Sequence, residues 1–481
     1  MSAPPALPLS SVPLPSSPQP VAPMVELSLN SCESMSQLEE PLLAENVKNL
    51  SDDDNIWSIE RPDISVDISD DPSPEELNER VATLFNQLFV PDLSVKASQV
   101  SINRLNGGMT NLVYKVTVDP APSLPIDQVL RILRVPTDKQ QQEVTQMPRK
   151  YLLRIYGTGA DEFLSRDKEL YWLRRLALLR IGAQIYGLFG NGRVEEFLES
   201  KTLTVGDMCN ASTSKQIAQR MCELHTLVSH HNPLSVEGGK QNNEAAAAYL
   251  SGEPELWSGI DSWMELIKKK WPEIWRECSE NVECADILNN WHLVEQGISK
   301  LKSCIEKDVH SPVVFSHNDL LYDNILQLEG SDEIVLIDYE FSGYNYRGFD
   351  IANHFFTWMY NFASLENPHI LNLTQYPTAD QRHNFLHAYV EAKAVMDGNA
   401  GVLGPNATQL VELCTPCLTE DQIREEVAAL DREVASFVAV PFLQWGVWGL
   451  LKTCSNDIGF DFVSYSAHRL SLFLSHVANL K

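Results

Sequence analysis

Three polar side chains at fixed spacing constrain this chain more than any other feature. Asp319 and Asn324 both fall in His317-Asn318-Asp319-Leu320-Leu321-Tyr322-Asp323-Asn324, and Asp338 follows the β-type run Glu333-Ile334-Val335-Leu336-Ile337. Phosphoryl transfer asks little covalent chemistry of a protein; it needs the acceptor oxygen aligned and the phosphate charge neutralised. One carboxylate can take the acceptor hydroxyl's proton, while an Asn and a second carboxylate hold Mg²⁺ between the phosphates. A polar surface turn accommodates any one of these residues but does not require all three in this order. The spacing therefore predicts a phosphotransferase site, with Asp319, Asn324 and Asp338 as its catalytic residues.

Composition narrows the partners. The net charge of −28 over 481 residues disfavours nucleic acid and anionic membrane surfaces, which repel an acidic protein. The charge is uneven: residues 1–80 carry sixteen Asp/Glu against three Lys/Arg, and twelve of the 27 prolines. Such a segment buries too little apolar surface to offset its ordering entropy, so residues 1–78 are predicted to be a disordered acidic, Pro-rich tail. The tail lacks the basic start of a signal peptide and the Arg-rich composition of a transit peptide, which predicts a cytoplasmic protein. Ser51, before Asp52, and Ser73, before Pro74, are candidate phosphorylation sites within it.

Nine cysteines form no framework; Cys414 and Cys417 have CxxC spacing but no second pair to complete a metal site. Val434–Leu451 carries no charge, at the lower edge of a membrane span. Pro441, Gln444 and the charged approach through Arg432 and Glu433 instead predict a buried core helix, with no integral membrane association.

The periodicities divide the remainder into a β-rich half and a helical half. A helix is expected over Glu75–Val90, and strands over Gln99–Asn103 and Leu112–Val118 around an Asn106-Gly107-Gly108-Met109-Thr110-Asn111 turn. Glycines there let backbone N–H groups approach a phosphate. Pro120–Pro148 reads as a surface insertion, with an element around Gln128–Val135. Lys150–Tyr156 is a strand with Arg154 in its middle, and a helix over Arg166–Leu179 contains Glu169. Strands over Gln184–Phe189 and Gly192–Leu198 flank a Gly190-Asn191-Gly192 turn. The second leads to a hinge where Glu196 and Leu198 would meet the nucleotide base. Helices are expected over Lys215–Val228, Ile260–Lys270, Ala285–Asp308, Gln381–Met396 and Glu420–Val440, the last extended by Pro441–Leu451.

In order, Asn106–Asn111, Tyr151–Gly157, Asn191–Phe197, His317–Asp319, Ile337–Phe341, Tyr344–Phe355 and Gln444–Gly449 resemble the choline/ethanolamine kinase family. The resemblance spans residues 100–480 and implies an α+β, protein-kinase-like fold of two lobes: a β-rich lobe at 79–198 and a helical lobe at 199–481. It implies ATP and Mg²⁺ as cofactors and phosphorylation of ethanolamine or choline, the first step toward the corresponding phospholipids. Asp319 matches the catalytic base, Asn324 and Asp338 the Mg²⁺ ligands with Glu340 beside them, and Arg154 with Glu169 the phosphate-gripping pair. Gly107, Gly108, Thr110 and Asn111 match the phosphate-covering loop. Family members are often homodimers.

Choline has no N–H to donate, so aromatic faces hold it best. Phe341, Trp445, Trp448, Phe460, Phe462 and Tyr465 are the candidate acceptor wall. Two positions depart from the family's choline-specific pattern. Leu321 stands where those members carry Gln, as in the ethanolamine version, and Thr357 stands where a Glu near the amine is usual. The first favours ethanolamine; the second removes a carboxylate that a primary ammonium needs more. The balance leans slightly to ethanolamine. Two other readings fit the same motifs: a kinase of another aminated alcohol such as an aminoglycoside, and a kinase-like binding module without activity.

Overall fold

The computed structural model describes residues 59–67, 72–89, 94–105, 111–122, 147–157, 165–178, 181–230, 252–360, 362, 364, 366–398, 416–455 and 459–480. The expected phosphate-loop residues Gly107, Gly108 and Thr110, the element at Gln128–Val135, Ser51 and Cys414 lie outside them.

Alternating burial builds the first lobe. Its strands are β1 (Ile59–Arg61), β2 (Val100–Arg104), β3 (Asn111–Val118), β4 (Lys150–Tyr156), β5 (Ile185–Phe189) and β6 (Gly192–Glu196). They form one sheet in the order β1-β5-β6-β4-β3-β2, with β1 parallel to β5 and the other pairs antiparallel. Val116, Tyr151, Leu153 and Val194 point into a core closed by helix α1 (Pro74–Leu88) through Val81, Leu84, Phe85 and Leu88. Ser73 starts α1 as its N-cap, accepting from the Glu76 N–H at 3.3 Å, while the Glu76 carboxylate accepts from the Ser73 N–H. Register places Arg154 of β4 between Val113 of β3 and Arg193 of β6. Gly192 is required where β6 approaches β4: a Cβ there would lie 2.2 Å from the Arg154 carbonyl oxygen.

The predicted tail is too long. Residues 59–67 belong to the folded lobe: Ile59–Arg61 pair with Gly187–Phe189, Ile64 and Val66 are buried, and the Asn191 side chain bonds the backbone of Val66 at 2.8 and 3.0 Å. Sequence composition misses this because a three-residue edge strand adds little apolar content to an acidic segment. Removing residues 1–71 should therefore destabilise the protein relative to removing 1–58. The expected loss is on the order of 3 kcal/mol, from exposing one Ile and one Val side chain and opening a sheet edge. Urea titrations of the two truncations check this; coincident midpoints would reject it.

The second lobe surrounds a larger core. After β7 (Ser200–Thr202) come α2 (Arg166–Leu178, earlier in the chain but packed here through Trp172 and Leu176), α3 (Ala211–His230), α4 (Leu256–Lys269), α5 (Trp271–Cys278), α6 (Val282–Asn289) and α7 (Trp291–Asp308). The helix expected over Ala285–Asp308 is thus two, broken at Asn290. Short strands β8 (Val313–Ser316), β9 (Ile325–Leu328), β10 (Ile334–Leu336) and β11 (Gly343–Tyr346) frame the catalytic loop, pairing as β10-β9-β7 and β11-β8. Helices α8 (Arg347–Thr357), α9 (Ala379–Gly398), α10 (Glu420–Ser436), α11 (Ala439–Lys452) and α12 (Phe462–Ala478) complete it. Every residue of α11 is buried, and α12 and α8 pack against it. The apolar run is the core helix the sequence predicts, separated from α10 by Phe437-Val438.

Candidate active site

The catalytic loop leaves β8 and turns sharply at Asn318, whose φ of +64° lies in the left-handed region. Buried Asp350, in the first turn of α8, holds that turn. One carboxylate oxygen accepts from the Asn318 N–H at 2.7 Å; the other accepts from the His317 N–H at 2.9 Å and lies 2.9 Å from His225 Nε2. Burial opposes the Asp350 charge, but His225, His317 and these N–H donors hold its carboxyl below the usual range. The Asn318 side chain donates to Phe341 O at 3.0 Å and accepts from Asn345 at 3.0 Å. His317 Nε2–H donates to Ile337 O at 2.9 Å, tying this loop to the strand before Asp338. Residues that carry no proton to substrate thereby fix Asp319 and Asp338 relative to each other.

Asp319 is half-buried, and Asn324, which lines the interlobe cleft, donates to its backbone oxygen at 2.8 Å and to its carboxylate at 3.4 Å. Asp338, also at positive φ (+65°), faces Arg154 Nη1 at 3.5 Å. Carboxylate oxygens of Glu169, Asp338 and Glu340 lie within 4.8 Å of one another. Asn111 joins them, donating to Glu340 at 3.4 Å and accepting from Arg166 at 3.0 Å. Oxygen-only donors of this kind suit Mg²⁺.

The expected Arg154–Glu169 pair takes a different form. Arg154 pairs with Glu195 at 3.4 Å as well as with Asp338, whereas Glu169 pairs with Arg193 at 2.9 Å and Arg166 at 2.8 Å. Arg193 also contacts Glu195. Burial would raise the Glu169 carboxyl, but Arg193, Arg154 and Arg166 outweigh it and hold it charged. The reason is register: Arg154 and Arg193 face each other across β4 and β6, so shared acids must separate two like charges. Arg193, Glu195 and Arg166 carry no role in the sequence reading. The signal that could have found them is the alternation Arg193–Glu195, charges of opposite sign on one face of a strand.

Between the lobes lies a cleft of about 320 Å³. Its apolar end is lined by Leu105, Val113, Leu152 and Ile185 from the first lobe and Leu326 and Ile337 from the second. Arg154, Asn324 and Asp338 line its polar end, and Glu196, at the end of β6, and Leu198, two residues on, line it as well. A flat apolar base and a polyanion fit those two ends. Phe341, whose carbonyl accepts from the Asn318 side chain, meets Trp445 at 5.5 Å, Trp445 meets Trp448 at 5.6 Å, and Trp448 contacts Phe462 and Tyr465 at 5.7 and 6.2 Å. Phe460 meets Phe462 at 5.0 Å. The six aromatic residues form one contiguous wall. Trp445 donates to Asn353 at 2.9 Å, and Asn353 donates to Asn318 O at 2.9 Å, so wall and catalytic loop share a bond network.

A family model described as choline/ethanolamine kinase matches residues 102–474. The chain belongs to the choline/ethanolamine kinase family. Among curated relatives, probable choline kinase 1 of Arabidopsis thaliana is 28% identical over 403 residues, covering 83% of this chain and 93% of the relative. Human choline/ethanolamine kinase is 26% identical over 392 residues, covering 80% and 82%. Two solved structures share the fold: a choline kinase from Cryptosporidium parvum (TM-score 0.57, 21% identity, covering 82% of this chain and 94% of that one) and an ethanolamine kinase from Plasmodium vivax (0.55, 24%, 78% and 83%).

Within this family member, Thr357 is fully buried at the end of α8. Its hydroxyl donates to His354 O at 2.8 Å, with Leu320 O at 3.3 Å. Neighbouring His354 is structural: Nδ1–H donates to Leu320 O, Nε2 accepts from Trp358, and burial pushes its pKa down to about 4.

Burial, then the charges of Asp338 and Glu340, push the Asp319 carboxyl well above the ordinary range. A base acts in its charged form, and these influences favour the protonated one. kcat/KM is therefore expected to fall as pH drops through a limb above the ordinary carboxylate value of about 4. A pH–rate profile flat down to pH ~4.5 would contradict this assignment.

Proposed function

We propose that this chain transfers the γ-phosphoryl group of ATP to the hydroxyl of choline or ethanolamine, supplying the phosphorylated amino alcohol for phospholipid synthesis in the cytoplasm. The observation that carries the reading is the position of Asp319: bonded to Asn324, whose side chain lines the polar end of the cleft, and close enough for its charge to act on Tyr465 of the aromatic cluster. The acceptor oxygen forms its bond to the γ-phosphorus as the bond to the β–γ bridging oxygen breaks. The hydroxyl proton passes to Asp319, and ADP leaves. Arg154 neutralises phosphate charge from the first lobe, and Glu195 holds its side chain in place. Asn324 and Asp338, with Glu340 behind them, are the residues that would hold Mg²⁺. When bound, the ion spreads the triphosphate charge.

The amine end is read from Leu321 and Thr357. Leu321, in the catalytic-loop sequence, leans the site toward ethanolamine, whereas the Thr357 hydroxyl, fully buried and donating to backbone carbonyls, supplies no carboxylate for an ammonium. The purified chain with Mg·ATP should release ADP on addition of choline or ethanolamine and not without them. ADP release independent of either alcohol, with Mg·ATP bound, would refute the proposal, and the ratio of kcat/KM values tests the lean.

A further inference from the structure

Four carboxylates line the interlobe cleft, and three of them are engaged. Glu195 pairs with Arg154 and Arg193, Asp338 pairs with Arg154, and Glu196 accepts from the Gln184 N–H at 3.2 Å. The fourth, Asp323, has no ion pair or hydrogen-bond partner among the described residues. It is exposed where it lines the cleft, yet the surrounding walls take enough water from its carboxyl to raise the pKa. A carboxylate left in this way gains by accepting hydrogen bonds from whatever fills the cleft.

Its place in the chain says which part of a nucleotide that is. Asp323 immediately precedes Asn324, so its Cα lies about 3.8 Å from that of a residue at the polar end. On its other side is β7. The Leu203 N–H donates to Ile325 O at 3.0 Å, Thr202 pairs with Leu326, and β7 packs against the Tyr322–Asn324 turn. Leu198, Ser200, Thr202, Asp323 and Asn324 all line the cleft and form one rim, running from the exit of β6 to the phosphate end. The Ser200 hydroxyl is committed to the Leu198 carbonyl at 3.0 Å. A base at the apolar end and phosphates at the polar end leave the sugar between them, over Thr202 and Asp323.

Chemistry excludes the neighbouring parts. Phosphate oxygens are negative and repel an unpaired carboxylate. A divalent cation would be drawn to it, but the acids that converge closely enough to share one are Glu169, Asp338 and Glu340. The ribose hydroxyls are neutral donors on adjacent carbons, able to reach the two oxygens of one carboxylate.

We propose that Asp323 accepts hydrogen bonds from the ribose hydroxyls of the phosphoryl donor, with Thr202 beside it, and so makes this chain selective for ribonucleoside over deoxyribonucleoside triphosphates. This rests on the kinase reading above and adds a specificity residue on its donor side; the acceptor and the transfer step are unchanged. Asp323 carries no role in the sequence reading, although it lies inside the catalytic-loop motif.

The test uses the full chain with whichever of choline and ethanolamine it phosphorylates faster, and compares ATP, 2′-deoxyATP and 3′-deoxyATP by kcat/KM. ATP should exceed at least one deoxynucleotide by about tenfold or more, the scale of a hydrogen bond to a charged group. Asp323→Ala should bring that ratio to within about twofold of unity, mainly by raising KM for ATP. Asp323→Asn, which keeps one acceptor oxygen without the charge, should fall between. Partly unfolded protein lowers all donors alike, so the ratio reports the contact and not the fold. Wild-type protein that uses all three donors equally overturns the proposal and leaves the kinase reading standing. An Asp323→Ala ratio equal to the wild-type one does the same, because another group then reads the sugar. If no donor yields ADP with either alcohol although Mg·ATP binds, the kinase reading falls and the proposal falls with it.

Discussion

Replacing Asp319 with alanine is expected to lower kcat by at least ~10², the scale for removing a positioned general base. Little else nearby can take the proton. Asp338 is paired with Arg154, and Glu340 contacts Asn111, so both neighbouring acids are engaged on the phosphate side of the site. Asp319 combines a bond to Asn324 with a charge that reaches Tyr465 of the aromatic cluster. Its high proton affinity suits a general base, because a carboxyl pushed up by burial, Asp338 and Glu340 holds a proton better than an ordinary one. Asn324, Asp338 and Arg154 remain in the variant, so KM for ATP should change little. Asp319→Asn, which preserves shape, should be as inactive as the alanine variant. Retention of more than about a tenth of wild-type kcat by either purified protein would remove Asp319 from the mechanism.

Much of this architecture is legible in the sequence because it follows local rules. Strand Lys150–Tyr156 and the helix beginning at Arg166 emerge at their observed positions from alternation and spacing alone, and the apolar run ending at Leu451 is recognisably core. The candidate triplet Asp319, Asn324 and Asp338 is picked out for a different reason: the proposed chemistry requires particular residue types at a particular spacing. Structure that depends on long-range pairing is less visible. Ile59–Arg61 is a strand only because β5 offers an edge. Helices α5, α8 and α12 are not anticipated, although α5 and α8 carry a clear apolar stripe. Likewise, Arg154 and Glu169 are both found from their neighbours in the chain, but their actual partners depend on β4–β6 register, which the chain order does not specify. Asp350 sits in a recognised motif, yet its work is invisible without knowing which backbone groups it reaches.

That dependence makes Asp350 the most consequential residue outside the reacting groups. Its two oxygens accept from two consecutive backbone N–H groups and from His225, all in an interior without exposed surface. Asn318 holds a left-handed backbone, which Asn tolerates better than most residues, and the two Asp350 bonds fix the turn in place. Asp350→Ala leaves two buried N–H groups and a buried imidazole without an acceptor. At roughly 1–3 kcal/mol per unsatisfied group, the expected loss is about 3–5 kcal/mol, visible as a lowered urea midpoint. Asp350→Asn is the sharper probe. It fills the same space but turns one acceptor oxygen into a donor facing a donor, so the Asn318 turn should relax while the fold persists. Because Asn353 and Trp445 hang on the same turn, relaxation should displace Asp319 and the acceptor wall together. The expected result is a fall in kcat of about tenfold or more and a higher acceptor KM, with KM for ATP nearly unchanged. An Asp350→Asn protein with wild-type melting and wild-type kcat would mean that the loop holds its geometry without this carboxylate.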